Sequence, residues 1–187
     1  MLDYFKTNKD IDYRRVNLVG HSRGGKAALW AGAQDQRFAM IFSSCSGNTG
    51  AALARRNVGE SVKQINTAFP HWFNNNYKKF NDKVDSLPVD QHMLIALIAP
   101  RPVYTTSATE DLWADPVGSY ISISNAQQVY TLYGKKSGLT PEPPVPDTAI
   151  IHSILGYHNR TGIHDLTAYD WGKFILFANY QYGLGRE

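Results

Sequence analysis

Residues 20–24 read Gly20-His-Ser-Arg-Gly24, a serine with a glycine two positions away on each side. That spacing suits a nucleophilic serine at the point where a strand turns sharply into a helix. Side chains at the glycine positions would clash in the turn, and the hydroxyl is left exposed beside the first N–H groups of the helix. A hydroxyl is a weak nucleophile, so it also needs an imidazole base and a carboxylate to orient that base. On a strand–turn–helix scaffold these partners follow the serine in the order acid, then histidine. Three carboxylates lie close together downstream: Glu110, Asp111 and Asp115. Asp111 stands where the chain leaves a strand-like run and is the preferred acid, with Glu110 as the alternative. Asp115 precedes Pro116 and can simply start a turn. His152 falls within an apolar run and reads as a packing residue. His158 and His164 both fall in the loop before the last helical segment, and His164, at the loop tip, reaches the serine more readily.

The elements that must position these groups show as short apolar runs alternating with helical patterns. Strands are expected at residues 16–20, 39–43, 102–107 and 148–155. Helices are expected at 26–32, 91–99, 117–133 and 165–180, the last with apolar residues at helical spacing. This alternation predicts an α/β fold, a parallel sheet with flanking helices. Two segments break the rhythm. Residues 57–87 are polar and aromatic, and long enough to form a functional insertion near a site. Residues 135–146 are Pro-rich and read as a plain loop.

Composition narrows the function classes. The 187 residues allow one domain with a sizeable core. A 43% hydrophobic and 19% charged composition excludes a disordered tail. Net charge is +3 and no Lys/Arg cluster forms a stripe, which argues against nucleic acid as a partner. No apolar run approaches the roughly 20 residues of a membrane span. A single cysteine, Cys45, excludes an internal disulfide framework and a cysteine-rich zinc site. No residue pattern calls for a metal or a cofactor.

Four ordered motifs then resemble one family. They are residues 20–26 (Gly-His-Ser-Arg-Gly-Gly-Lys), 99–103 (Ala-Pro-Arg-Pro-Val), 110–116 (Glu-Asp-Leu-Trp-Ala-Asp-Pro) and 156–165 (Gly-Tyr-His-Asn-Arg-Thr-Gly-Ile-His-Asp). Together with Tyr169-Asp-Trp-Gly-Lys-Phe174, the chain resembles the bacterial glucuronoyl esterases of carbohydrate esterase family 15. The resemblance runs over nearly the whole chain. It implies the C-terminal half of an α/β-hydrolase fold, and cleavage of esters between lignin alcohols and the 4-O-methyl-glucuronic acid branches of xylan. It also implies Ser22 as nucleophile, His164 as base and Arg23 as an oxyanion ligand. Lys26, Glu60 and Trp113 match positions that contact the uronic acid. Export of the enzyme, secreted or periplasmic, is a further implication.

The sequence departs from the family in two places. Many members carry a glutamate after the second of these strands, where this chain has Cys45. A thiol cannot orient an imidazolium as a carboxylate does; the resemblance to related bacterial members, which place the acid after the following strand, again implies Asp111. Nothing nearby lowers the pKa of Cys45, so it reads as a packing residue. The family is also about twice as long. Residues 1–187 are therefore expected to form a partial esterase domain lacking the N-terminal half, with an open sheet edge and an incomplete oxyanion hole. An acetylxylan or general carboxylesterase, and a carbohydrate-binding remnant without catalysis, stay open as alternatives.

Overall fold

The computed structural model describes residues 1–184. Its strands are β1 (Leu18–His21), β2 (Ile41–Ser44), β3 (Val103–Ala108), β4 (Ala149–Ile150) and β5 (Leu155–Arg160). Its helices are α1 (Leu2–Phe5), α2 (Arg23–Gln34), α3 (Val62–Ala68), α4 (Gln91–Ala96), α5 (Pro116–Leu132) and α6 (Ala168–Gln181).

Successive side chains of a strand point to opposite faces, and the two faces of the sheet bury different partners. Ile41, Val103 and Leu155 join Leu29 of α2, Ile95 of α4 and Ile123 of α5 in one apolar cluster. Phe42 and Tyr104, each one residue along, pack with Phe174 and Phe177 of α6 in another. Every residue of β2 and β3 is buried, as expected for strands covered on both faces. β1, which leads into Ser22, is half-buried and stands at one edge of the sheet order β1-β2-β3-β5-β4.

Helix ends follow local chemistry. Asp115 caps α5 by accepting from the Gly118 N–H, with Pro116 at the first helical position. Thr167 and Asp170 form a reciprocal capping box at α6, and Ser61 and Gln64 form another at α3.

The sheet is mixed rather than wholly parallel. β1, β2, β3 and β5 run parallel, and β4 pairs antiparallel with β5. The expected strand at 148–155 is only two residues long here, and the long buried strand begins at Leu155. His158 therefore lies inside a strand, not in the loop, and is fully buried. His152 is exposed beside the ring of Tyr180 rather than packed in a strand. Hydropathy favoured the wrong segment because Leu155–Arg160 carries polar side chains whose buried partners are distant in sequence. Segment 57–87 holds α3 and short 3-10 turns, and Val62 and Leu87 form a small core of their own with Ala54. Residues 135–146 contain no helix or strand.

Candidate active site

Ser22 sits between β1 and α2 with φ 56° and ψ −124°, a conformation that costs a non-glycine residue and is typical of functional turns. Its backbone N–H donates to the Ser44 carbonyl of β2 at 2.8 Å, and its carbonyl accepts from Gly25 at 2.9 Å. The turn needs a glycine at 20, where a Cβ would stand 2.0 Å from the Gly24 carbonyl oxygen. It does not need one at 24, where a Cβ would meet nothing within 4 Å. The crowded second glycine is Gly25, whose Cβ would lie 2.8 Å from that of Ser46.

Asp111 lies three residues past the end of β3 and is buried. Its Oδ2 lies 2.6 Å from Nδ1 of His164. A carboxylate only accepts, so Nδ1 carries the proton and Nε2 is left with a lone pair. The His164 side chain is 42% exposed. Its ring rests against that of His21, the residue before Ser22, with centroids 4.7 Å apart. His21 is fixed in turn by Ser44 Oγ at 3.1 Å from its Nδ1, and burial together with the neighbouring His164 lowers its pKa.

The competing acids go elsewhere. Glu110 is exposed, and its backbone N–H donates to the Gly162 carbonyl. Asp115 caps α5 and takes an ion pair from Arg56 at 2.8 Å, in keeping with its turn-forming role.

Lys26 projects from the first turn of α2 but is not solvated there. Its Nζ donates to the carbonyls of Ser46, at 2.7 Å, and Asn48, and lies 3.2 Å from Glu60 Oε2. Burial lowers its pKa against the opposing pull of the Glu60 carboxylate. Glu60 is held by its backbone N–H to the Trp113 carbonyl at 2.9 Å. The Trp113 side chain is largely exposed, and Arg23 is exposed at the rim.

One cleft of about 410 Å³ is lined by all seven predicted residues: Ser22, Arg23, Lys26, Glu60, Asp111, Trp113 and His164. It is also lined by two that sequence reasoning did not single out, Phe69 and Trp72. Their rings stack at 3.9 Å and 7°, giving the cleft an aromatic wall. The signal for them was coarse: both lie in segment 57–87, marked only as long and aromatic. Such a combination of apolar wall and a few convergent polar groups is what small-ligand pockets present.

Cys45 also lines the cleft, buried and with φ 45°. Cys45, Asp111 and His164 offer ligand atoms within 4.8 Å of one another. They make a poor metal set, since Nδ1 and the carboxylate already bond each other and burial pushes the thiol up to about 11. No helix among the described residues is long and apolar enough to cross a membrane.

Comparison with known proteins finds relatives over the whole chain. A family model described as glucuronyl esterase, fungi, matches residues 1–134. Carbohydrate esterase MZ0003, from an unknown prokaryotic organism, is 52% identical over 186 residues, covering 100% of this chain and 43% of its own length. A solved glucuronoyl esterase from Solibacter usitatus is 48% identical with a TM-score of 0.91, over 97% of this chain and 46% of its own. The 4-O-methyl-glucuronoyl methylesterase 1 of Phanerochaete chrysosporium is 33% identical over 131 residues, 66% of this chain and 28% of its own. The chain thus spans about half the length, or less, of these relatives. Its sheet and helices form part of the α/β-hydrolase fold.

Proposed function

The chain belongs to the glucuronoyl esterase family, carbohydrate esterase family 15, of bacterial type, and on that premise we propose that it carries the catalytic groups of a serine esterase acting on uronate esters. One observation supports this reading above the others. A serine on a tight strand–helix bend shares a cleft with a carboxylate-bonded imidazole and with a largely buried Lys26–Glu60 pair.

In this mechanism Ser22 Oγ attacks the C6 carbonyl of a glucuronate ester. His164 Nε2 takes the serine proton and passes it to the departing alcohol, while Asp111 holds the tautomer. The Arg23 side chain and the backbone N–H after Ser22 stabilise the oxyanion, and such donors contribute about 2.7–4 kcal/mol each. Water then attacks the acyl-enzyme by the reverse proton route, releasing the uronate and regenerating Ser22. These steps use side chains and water alone. Lys26, Glu60 and Trp113 contact the sugar, with the charged pair supplying hydrogen bonds and the indole an apolar face.

The substrate proposed is a glucuronoxylan or lignin–carbohydrate ester, met outside the cell by an exported protein. Residues 1–187 act as part of one esterase domain. The test is turnover of a methyl or benzyl glucuronate ester by the full-length polypeptide. We expect Ser22→Ala to reduce kcat by at least about 10³-fold. An alanine variant with an unchanged rate would falsify the mechanism.

A further inference from the structure

His164 presents a problem of placement. Its ring is 42% exposed and its side chain is anchored by one hydrogen bond, to Asp111. Burial therefore does not fix it, and beyond the ring contact with His21 its position depends on the backbone of residues 161–165. That backbone has an identifiable holder. Arg160, the last residue of β5, is itself only 8% exposed. Its Nη1 donates to the carbonyl of Thr161 at 2.9 Å. Its Nη2 donates to the carbonyls of Ile163 at 2.8 Å and Asp165 at 3.2 Å, the residues on either side of His164. Its Nε faces Oδ2 of the buried Asp170, in the first turn of α6, at 3.2 Å.

A planar guanidinium has five N–H donors in a fixed fork and suits such multiple acceptance, whereas an ammonium is a single point. The loop is shaped around it. Gly162 has φ +119°, and a Cβ there would stand 2.8 Å from Arg160 Nη1. The same loop is tied to the acid's loop, since Gly162 accepts from the Glu110 N–H at 2.9 Å and donates to Thr109 Oγ1 at 3.1 Å. A small displacement of the loop would thus change the approach of His164 to Ser22 while leaving the sugar-side groups Lys26 and Glu60 untouched. Misplacing a catalytic group by about 1 Å can cost about 10²-fold in rate.

We infer that Arg160 is a positioning residue: it clamps the carbonyls on both sides of His164 and so sets the imidazole's approach to Ser22. The inference rests on the Ser22–His164 part of the proposed mechanism and is independent of the sugar. The experiment compares wild type, Arg160→Lys and Gly162→Ala in the full-length polypeptide. Rates are normalised to the concentration of active sites titrated with a fluorophosphonate. Arg160→Lys keeps the charge beside Asp170 but loses the fork. Gly162→Ala strains the loop backbone at its φ of +119° and crowds the guanidinium from outside the buried network, so it reports on the loop that Arg160 holds without removing Arg160.

Both variants are expected to lower kcat per titrated site by roughly 10–100-fold, with KM for the uronate ester nearly unchanged. Fluorophosphonate labelling of Ser22 should slow in parallel. Variants that merely lose active fraction or melting temperature, with per-site kcat and labelling rate as in wild type, would overturn the inference. So would a rise in KM at constant kcat. Measuring p-nitrophenyl acetate alongside the uronate ester separates the two proposals. A wild type that labels and hydrolyses only the acetate removes the uronate reading, and the Arg160 comparison is then made on the acetate.

Discussion

Two histidines six residues apart each bond an aspartate, and the proposed mechanism uses only one of these pairs. His164 Nδ1 meets Asp111 at 2.6 Å, and His158 Nε2 meets Asp170 at 2.8 Å. The distances hardly distinguish them. The other ring nitrogen does. In His164 it is left to face a cleft that holds Ser22. In His158 it is already occupied, 2.9 Å from the Tyr104 hydroxyl. Since Asp170 can only accept, His158 carries its proton on Nε2 and takes the Tyr104 O–H on Nδ1. That ring is fully buried and saturated, with no proton to move. A carboxylate–imidazole pair is therefore not a catalytic signature by itself. What the proposed mechanism requires is a ring nitrogen left without a partner in the cleft that Ser22 also lines.

The sharpest way to break this comparison is the same substitution at both acids. Asp111→Asn should cost the most activity, about 10⁴-fold in kcat, because an amide can donate to Nδ1 and favour the wrong tautomer while leaving the geometry intact. Stability by urea denaturation should change little. Turnover of a methyl glucuronate ester at the wild-type rate would remove Asp111 from the mechanism.

Asp170→Asn should do the reverse. It leaves Arg160 without its buried countercharge and disturbs the α6 capping box, as Asp170 Oδ2 also accepts from the Thr167 N–H and hydroxyl at 2.7 and 2.8 Å. Removing one partner of a buried ion pair costs about 3–5 kcal/mol. The shift appears in the urea midpoint, with per-site rate falling far less than for Asp111→Asn. If Asp170→Asn silences the titrated sites as fully as Asp111→Asn, the distinction between the two pairs fails.

The same contrast explains what was legible in the sequence. The strand before Ser22 and the helix after it showed clearly, because local apolar spacing and the glycine turn determine both. Asp111 could be preferred, with Glu110 beside it as the alternative, because both stand just beyond a well-marked strand. β5 was missed because its polar residues, His158 and Arg160, are satisfied by Asp170 and Tyr104, contacts that hydropathy does not register. Lys26 was open to reading as a solvated surface charge, since its carbonyl partners at Ser46 and Asn48 come from the loop after β2. Phe69 and Trp72 were legible as aromatic composition but not as a wall, because no periodicity in an irregular loop says which ring turns toward the cleft. The role of Arg160 was invisible for the same reason as β5: it lies in backbone carbonyls, which carry no residue identity.

The smallest expected effect tests the dry pair through pH. Burial lowers the pKa of His158, although Asp170 opposes the shift. In the unfolded chain the ring returns to an ordinary value near 6.5. Above that value it is neutral in both states and adds no pH dependence. Below it the unfolded chain binds more protons than the native one, so stability falls as pH drops, by at most about 1.4 kcal/mol per pH unit for one group. Asp170 acts in a lower window. Burial works against its charge, yet the bonds from His158 and Thr167 hold the carboxyl at about 2, so its contribution is intact above the usual aspartate value and is lost only as pH falls toward 2. Between pH 7 and 5 the slope therefore belongs to histidines. His21, also lowered, contributes with the same sign, so the informative quantity is the difference between wild type and His158→Gln. Urea midpoints across this range should decline less steeply in the variant. Parallel slopes would mean that His158 takes up its proton as readily inside the fold as outside, and the claim of a saturated, inert ring would not survive.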